Sequence, residues 1–448
     1  MVWMDEYKKK LINAEDAASM VKSGMWLDYG FGSGMPILFD EKLAERAVEL
    51  KDVKVRFDWH CSTLKVLEVG GDHFYGVAWF VTHQARKLAK EGLCSYVPHH
   101  FGQGGPVYKK QVNGQTDIAI IEVSPMGKDG CFSFGAGVAA ERAACDAAKM
   151  VIVEVNETQP TVNGITGDYI HISDVDYIIE NDKYSIDELK VPSPTDTEII
   201  IAKMIAEQLE DGSTLQLGVG PIPNTVCQAL IERGAKDFGI HTEMFTAGMV
   251  DLIEAGVVTG KKKTINWGKS VCTFAAGSRK VYDFIDRNPM VLVSAVEYTN
   301  NPYIISQNYK QVSINNAIKI DLTGQVDAES IGTRQVSGTG GQLEYHRGAQ
   351  LSPGGKAYIA LPSTYTDSKG DLVSNIVPTL NAGDVVTDPR TDVSCVITEY
   401  GCIDLVGRSI WERVRLLVSI AHPKFRDELM EQAFKLNYMS KQMRGLVL

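Results

Sequence analysis

The segment GIHTEM, residues 239–244, puts a single carboxylate, Glu243, between Thr242 and Met244, with His241 close behind. An acid there is either a solvated loop residue or a group delivered to a place where chemistry is done. A second segment, LQLGVGPIPN (215–224), bears on the choice. It runs an apolar strand pattern into Gly218, Val219 and Gly220 and then opens a helix through Pro221 and Ile222, so backbone amides at the turn and the helix start can face an anion. Glycine suits such a turn because a side chain would hold the ligand off the amides. By itself a Gly-X-Gly is equally a tight turn. If GIHTEM ends the neighbouring parallel strand, however, Glu243 arrives at the same carboxyl edge of the sheet, where ligands bind in open α/β proteins.

Other loops carry weaker signals. The stretch TRQVSGTGGQLEYHRGA (333–349) concentrates Gly338, Gly340 and Gly341 where no strand pattern is present; it can wrap a phosphate, a pantetheine or an oxyanion, or merely turn tightly. Asn315 and Asn316 stand inside a strand-like run, and buried amides need partners, so they are either structural hydrogen bonders or contacts to a polar ligand. YGFGSGMP (29–36) and HHFGQGGP (99–106) are Gly-rich loops able to line a pocket, but neither completes a dinucleotide-binding fingerprint. No GxSxG elbow, Walker A loop or kinase motif set occurs. The nine histidines include no HExxH and the eight cysteines no CxxC, so free thiols and no metal are expected.

The elements that must position these loops are short β-branched runs alternating with Ala/Lys/Glu-rich stretches, the rhythm of βα units around largely parallel sheets. WLDYG (26–30), VKVRFDW (53–59), AIIEV (119–123) and VIVEV (151–155) read as strands and GVAAERAACDAAKM (137–150) as a helix. With 448 residues the chain exceeds the roughly 250–300 at which one core stops growing. Two open α/β domains are therefore expected, 1–190 and 191–448, joined through KYSIDELKVPSPTD (183–196). A net charge of −11 leaves no basic stripe for nucleic acid. Lys261, Lys262 and Lys263 form the one tight basic cluster, read as a solvated loop that could help to hold an anionic ligand. The apolar runs fall short of the roughly 20 residues a membrane span needs. MVWMDEYKKK has charges where a secretory signal would be apolar, so a cytoplasmic protein without membrane partners is expected.

Together with VITEYGCIDLVGRSIWERVRLLVSIAHPKFRDEL (396–429), the motifs LQLGVG, GIHTEM and SGTGGQL resemble those of the acetyl-CoA hydrolase/transferase family, and within it the butyryl-CoA:acetate and 4-hydroxybutyrate CoA-transferase branch. The resemblance runs from EYKKKLINAEDAASMVKSG (6–24) to the last helix. It implies a two-domain α/β enzyme of the CoA-transferase family I type, with the active site between the domains. It also implies that Glu243 carries a covalent glutamyl-CoA thioester in a ping-pong exchange of carboxylic acids. CoA and acyl-CoA are then substrates, and no metal or redox cofactor is needed.

The family's CoA-binding turn falls on Gly218, Val219, Gly220, Pro221 and Ile222; Gln216, on the strand before it, is implied to orient Glu243 or the reacting carbonyl. Ile318 and Gly341 fall at further CoA contacts. Two departures matter. Pro221 stands where relatives often have a second glycine and removes one amide donor. Ser368-Lys369-Gly370 stands where close relatives carry a lysine before Asp-Gly, so either Lys369 takes over that contact or the contact is lost. The loops 29–36, 59–62 and 99–104, with Phe31, Trp59 and Phe101, are candidate walls of an apolar acyl pocket, and His60 or His100 is a candidate partner for a 4-hydroxy acid. Butyryl-CoA and acetate are the expected pair, ahead of 4-hydroxybutyrate or a medium chain, in a homodimer. A hydrolase shares the covalent intermediate and differs in admitting water. A non-catalytic acyl-CoA sensor on the same fold is the alternative of another class.

Overall fold

In the computed structural model, which describes residues 3–112, 115–440 and 442, the βα rhythm resolves into two principal sheets. The first contains β1 (Trp26–Asp28), β2 (Val53–Phe57), β3 (Phe74–Ala78), β4 (Cys94–Tyr96), β5 (Ile118–Val123), β6 (Met150–Asn156) and β7 (Tyr177–Asn181). Their order is β4-β3-β2-β1-β5-β6-β7, and every neighbouring pair is parallel. The central strands IAIIEV and MVIVEVN are buried nearly throughout, as strands covered on both faces must be. Their acids, Glu122 and Glu154, lie in register with one another. Each is supplied with donors: Asn156 and Gln159 for Glu122, at 3.1 and 2.8 Å, and Asn181 Nδ2 and the Phe39 amide for Glu154, both at 2.9 Å.

The second sheet contains β8 (Thr214–Leu217), β9 (Gly239–Ile240), β10 (Gln311–Asn316), β11 (Lys356–Ala360), β12 (Cys395–Thr398) and β13 (Gly401–Asp404), in the order β9-β8-β10-β11-β12-β13. It is parallel except for the closing β12–β13 hairpin. The chain leaves β8 for β9 on one side and returns to β10 on the other. The crevice at the carboxyl ends of β8 and β10 is therefore a topological switch point.

Helix starts follow their local chemistry. α1 (Asp196–Gln208) is opened by a Thr195–Glu198 capping box, and α2 (Pro221–Arg233) by proline at its first position and is closed by Gly234 in the left-handed region. α3 (Gln342–Leu351) starts directly after Gly341, and α4 (Ile410–Ser419) carries a Ser409–Glu412 capping box.

The stretch 137–150 is helical only over Glu141–Ala147. Residues 136–139 instead pair with the second half: the Ala275 amide donates to Ala136 O at 2.8 Å and the Ala139 amide to Thr273 O at 3.2 Å. Tertiary pairing outcompetes the helical propensity of this Ala-rich stretch. The connection around 183–195 lacks regular structure, yet it is pinned, with the Leu189 amide donating to Gly277 O and the Tyr282 hydroxyl to Asp187 O. One apolar core runs between the sheets, holding Ile121 and Val153 in the same cluster as Leu215, Ile314 and Tyr358. Among the described residues no helix is long and apolar enough to cross a membrane.

Candidate active site

β9 lies parallel to β8, with Thr214 opposite Gly239 and Leu215 opposite Ile240, and the pairing continues through the His241 amide to Leu215 O at 3.0 Å. Glu243 thus leaves the carboxyl edge beside the glycine turn that follows β8, as the motif order suggested. Its main chain is fixed: its carbonyl accepts from the amides of Thr273 and Phe274 at 3.0 and 3.3 Å. Its carboxylate accepts from Asn300 Nδ2 at 2.7 Å and from the Gly341 amide. Burial pushes the carboxyl up to about 7, opposed by these two hydrogen bonds, which favour the charged form. Gly341 has no room for a side chain, since a Cβ there would lie 2.2 Å from Glu243 Oε2 and 2.0 Å from Asn300 Nδ2.

Asn300 and its second partner are the residues that sequence reasoning missed. Asn300 Nδ2 also lies 3.3 Å from Glu344 Oε2, which accepts the Gly102 amide at 3.0 Å. Burial raises the Glu344 carboxyl to about 8, opposed by its hydrogen bonds from the Gly102 amide and Asn300, so Asn300 bridges two acids that are both held above the ordinary carboxylate range. The carbonyl before Asn300, Thr299 O, receives both His241 Nε2 and the Tyr345 hydroxyl at 2.9 Å. Burial lowers His241 to about 3; the neutral ring has no partner on Nδ1, so Nε2–H is the donor. No motif marks Asn300. The one available signal is a buried amide that needs partners.

Lys263 departs from the solvated-loop reading of the lysine cluster. Its amine turns inward to donate to Ile240 O at 2.8 Å and Lys269 O at 2.9 Å, and burial lowers it to about 7. It passes over Gly239, where a Cβ would come within 2.5 Å of its stem. A lysine that the cluster's charge assigns to water thus braces the strand leading to Glu243.

The turn after β8 is built as a donor cradle with fewer donors than residues. The Gly218 amide is spent on Ile314 O at 2.9 Å, and Pro221 sits at the first helical position with no N–H. Val219, Gly220 and Ile222 remain as amides with no carbonyl partner among the described residues. Gly220 has φ 126, a backbone that only glycine adopts readily, and Asn316 Nδ2 ties the turn down by donating to Val219 O at 3.1 Å. Gln216 exchanges amide hydrogen bonds with Asn315 at 3.1 Å and accepts from Ser313 Oγ at 2.7 Å, so its partners all lie on β10. It forms the floor between β8 and β10, and no hydrogen bond joins it to Glu243 among the described residues. Ile318 donates from its amide to Asp327 O at 2.9 Å. Lys369 is exposed at the tip of a hairpin (Thr364–Thr366 and Leu372–Ser374) whose base, Asn375 O, accepts the Ile320 amide.

The aromatic residues picked out in the first half converge on Phe274, whose amide holds the Glu243 carbonyl. Phe31 packs against Phe101 and Phe274 with ring centroids 5.1 and 4.7 Å apart, Trp59 against Phe274 at 5.5 Å, and Met244 belongs to the same buried cluster. A cavity of about 300 Å³ opens between the halves, lined by Trp59, His60, Phe80, Arg86, Leu189 and Ser337 among others. His60 is fully engaged, with Nδ1 at 2.6 Å from Ser62 O and Nε2 at 3.2 Å from the Thr82 hydroxyl. His100 is exposed. Among the described residues no group of three or more His, Cys, Asp or Glu side chains is placed to hold a metal ion.

The chain as a whole has counterparts among known proteins. Residues 1–188 match the acetyl-CoA hydrolase/transferase N-terminal domain and residues 277–433 the C-terminal domain of the same family. The chain is 42% identical to a probable butyrate:acetyl-CoA coenzyme A-transferase of Syntrophomonas wolfei, over 98% of each chain. It is 40% identical to a 4-hydroxybutyrate coenzyme A transferase of Clostridium kluyveri, over 96% of this chain and 99% of that one. The solved structure of RipA from Yersinia pestis superposes with a TM-score of 0.89 at 36% identity, covering 98% of this chain and all of the other. The two domain models cover most of the chain, and the relatives and the solved structure cover nearly all of it: the chain belongs to the acetyl-CoA hydrolase/transferase family.

Proposed function

We propose that the protein is a CoA-transferase that moves CoA between a short-chain acyl-CoA, butyryl-CoA foremost, and acetate through a thioester on Glu243. The observation that carries this reading is the half-buried Glu243 carboxylate itself, held by Asn300 and the Gly341 amide, and set beside the Phe31–Phe101–Phe274 cluster. A carboxylate is the fitting nucleophile for exchanging one carboxylic acid for another. Glu243 attacks the thioester carbonyl and CoA leaves as thiolate, giving an acyl-glutamyl anhydride. The thiolate then attacks the glutamyl carbonyl and expels butyrate, leaving glutamyl-CoA. Acetate attacks that thioester, the thiolate departs and returns to the acetyl carbonyl, and Glu243 is released as carboxylate. Each addition develops an oxyanion. Val219, Gly220, Ile222 and Gly341 are the amides suited to receive one, in a setting where a single donor contributes about 10²–10³ in kcat. Gln216 acts from the floor, holding Asn315 and through it the strand beside the turn. Ile318 flanks the CoA path, and the exposed Lys369 is available to a CoA phosphate.

Transfer is favoured over hydrolysis by the relatives named as CoA-transferases, which match at 40–42% identity over nearly the whole chain. Butyrate is favoured over 4-hydroxybutyrate because both nitrogens of His60 are already engaged and His100 faces solvent. The reading includes a cytoplasmic homodimer with CoA and acids as its only small-molecule partners and no metal or redox cofactor. The test is incubation with butyryl-CoA with and without acetate, following acyl-CoA species by chromatography and free thiol in parallel. Acetyl-CoA formed only with acetate, with little free thiol, is the expected result. Equal CoA release without acetate would make the protein a hydrolase, and no change in either would leave the sensor reading. Glu243→Gln should abolish exchange while CoA still binds.

A further inference from the structure

The Gly341 amide belongs to a loop, 336–341, with little regular structure, so something outside the second sheet must hold it. Three ties come from one short segment of the first half. The Thr339 amide donates to the Tyr96 hydroxyl at 3.0 Å, the Phe101 amide donates to Gly340 O at 3.3 Å, and the Gly102 amide donates to Glu344 Oε2 at 3.0 Å on the first turn of α3. The Tyr96 tie is doubled. Tyr96 Oη and Thr339 Oγ1 are 3.2 Å apart, and Thr339 Oγ1 donates to Glu329 Oε2 at 3.1 Å. With the threonine hydrogen committed to Glu329, the tyrosine hydrogen goes to Thr339 Oγ1 while Tyr96 Oη accepts the Thr339 amide. Below the loop, the Phe80 ring lies against Gly338, where a Cβ would come within 2.6 Å of it. Gly340, at φ 58, then turns the chain into Gly341.

We propose that Tyr96 is a positioning residue: through Thr339 it anchors the 336–341 loop and so sets the Gly341 amide against Glu243. The inference rests on the CoA-transferase reading of the site. It means that the half of the molecule supplying the acyl-pocket walls also supplies the hold on an amide that meets the reacting carboxylate. Phe101 belongs to both, since its ring packs on Phe31 and its amide holds Gly340.

The test compares wild type, Tyr96→Phe, Thr339→Val and the double variant in butyryl-CoA/acetate exchange. An ångström-scale misplacement at a reacting centre costs ~10²-fold, and two ties survive in Tyr96→Phe, so kcat is expected to fall about tenfold. KM for butyryl-CoA and the melting temperature should hold at wild-type values. Loosening the Gly341 donor weakens support for the charged Glu243, so the acid limb of the kcat/KM profile moves to higher pH. The double variant should lose less than the product of the two single losses, because the Tyr96–Thr339 hydroxyl bond is common to both, while Thr339→Val keeps the Thr339 amide bond to Tyr96 and loses the bond to Glu329. Wild-type kcat with an unmoved pH profile in Tyr96→Phe, or losses that multiply in the double variant, would overturn the proposal. Absence of exchange by the wild type would instead remove the functional reading beneath it.

Discussion

Replacing Gly341 by alanine tests the site at its tightest point. The added Cβ would stand 2.2 Å from Glu243 Oε2 and 2.0 Å from Asn300 Nδ2, whereas ordinary contact begins at 3.4 Å. The carboxylate must therefore withdraw by at least 1.2 Å (3.4 less 2.2), and it cannot do so without loosening its bonds to Asn300 and to the Gly341 amide. The backbone is not the obstacle, because Gly341 has φ −103, which alanine adopts without strain. Removing a glycine lowers the entropy of the unfolded chain by the equivalent of about 0.4–1 kcal/mol, which offsets part of what the contacts with Asn300 and Glu243 cost. Stability and activity should accordingly separate. With ~10²-fold for an ångström-scale misplacement and ~10²–10³ for a lost oxyanion donor, kcat for butyryl-CoA/acetate exchange should drop by about 10²–10³. The melting temperature and CoA binding, measured on the same preparation, should change little. Activity within about threefold of wild type would refute the steric argument and the role given to this amide.

Further outcomes are expected. Because Glu243 reacts as carboxylate and titrates at about 7, kcat/KM should rise as pH increases through 7; Asn300→Ala removes a hydrogen bond that favours the charge and should move that limb upward as well as lowering kcat, which a pH–rate series reads directly. Phe31→Ala should open the aromatic cluster and shift preference toward longer acyl chains, and an unchanged chain-length series would remove Phe31 from the acyl pocket. Asp40 and Glu154 are raised by burial from ordinary values of 3.8 and 4.5 to about 7. Between those values the native state keeps protons that the unfolded chain has released, so their contribution to stability falls as pH rises through this window and levels off above it. Urea titrations from pH 5 to 8 on Asp40→Asn should show a shallower decline than wild type.

The parts of the site legible in the sequence are those encoded within a few consecutive residues. A strand running into Gly218-Val219-Gly220 and a proline-led helix declares its turn locally, through glycine's φ at position 220 and the free amides of a helix start. The same holds for the capping boxes of α1 and α4 and for the largely apolar runs of β5 and β6, each interrupted by one glutamate. The place of Glu243 at the carboxyl edge is legible because strand order in a parallel sheet brings consecutive strand ends to one edge, whereas its chemical role is implied only by the family resemblance. What the sequence leaves open is the partner of each buried polar group. Asn300 meets Glu243 across 57 residues, Tyr96 meets Thr339 across 243, and Gln216 meets Asn315 across 99. Lys263 goes inward only because Gly239 leaves a channel beside it, and 136–139 abandons its helix only because 273–275 offers a strand. Local propensities are sums over neighbours along the chain. Hydrogen-bond satisfaction in the interior depends on which distant elements converge, and that is decided when the two sheets close around their shared core.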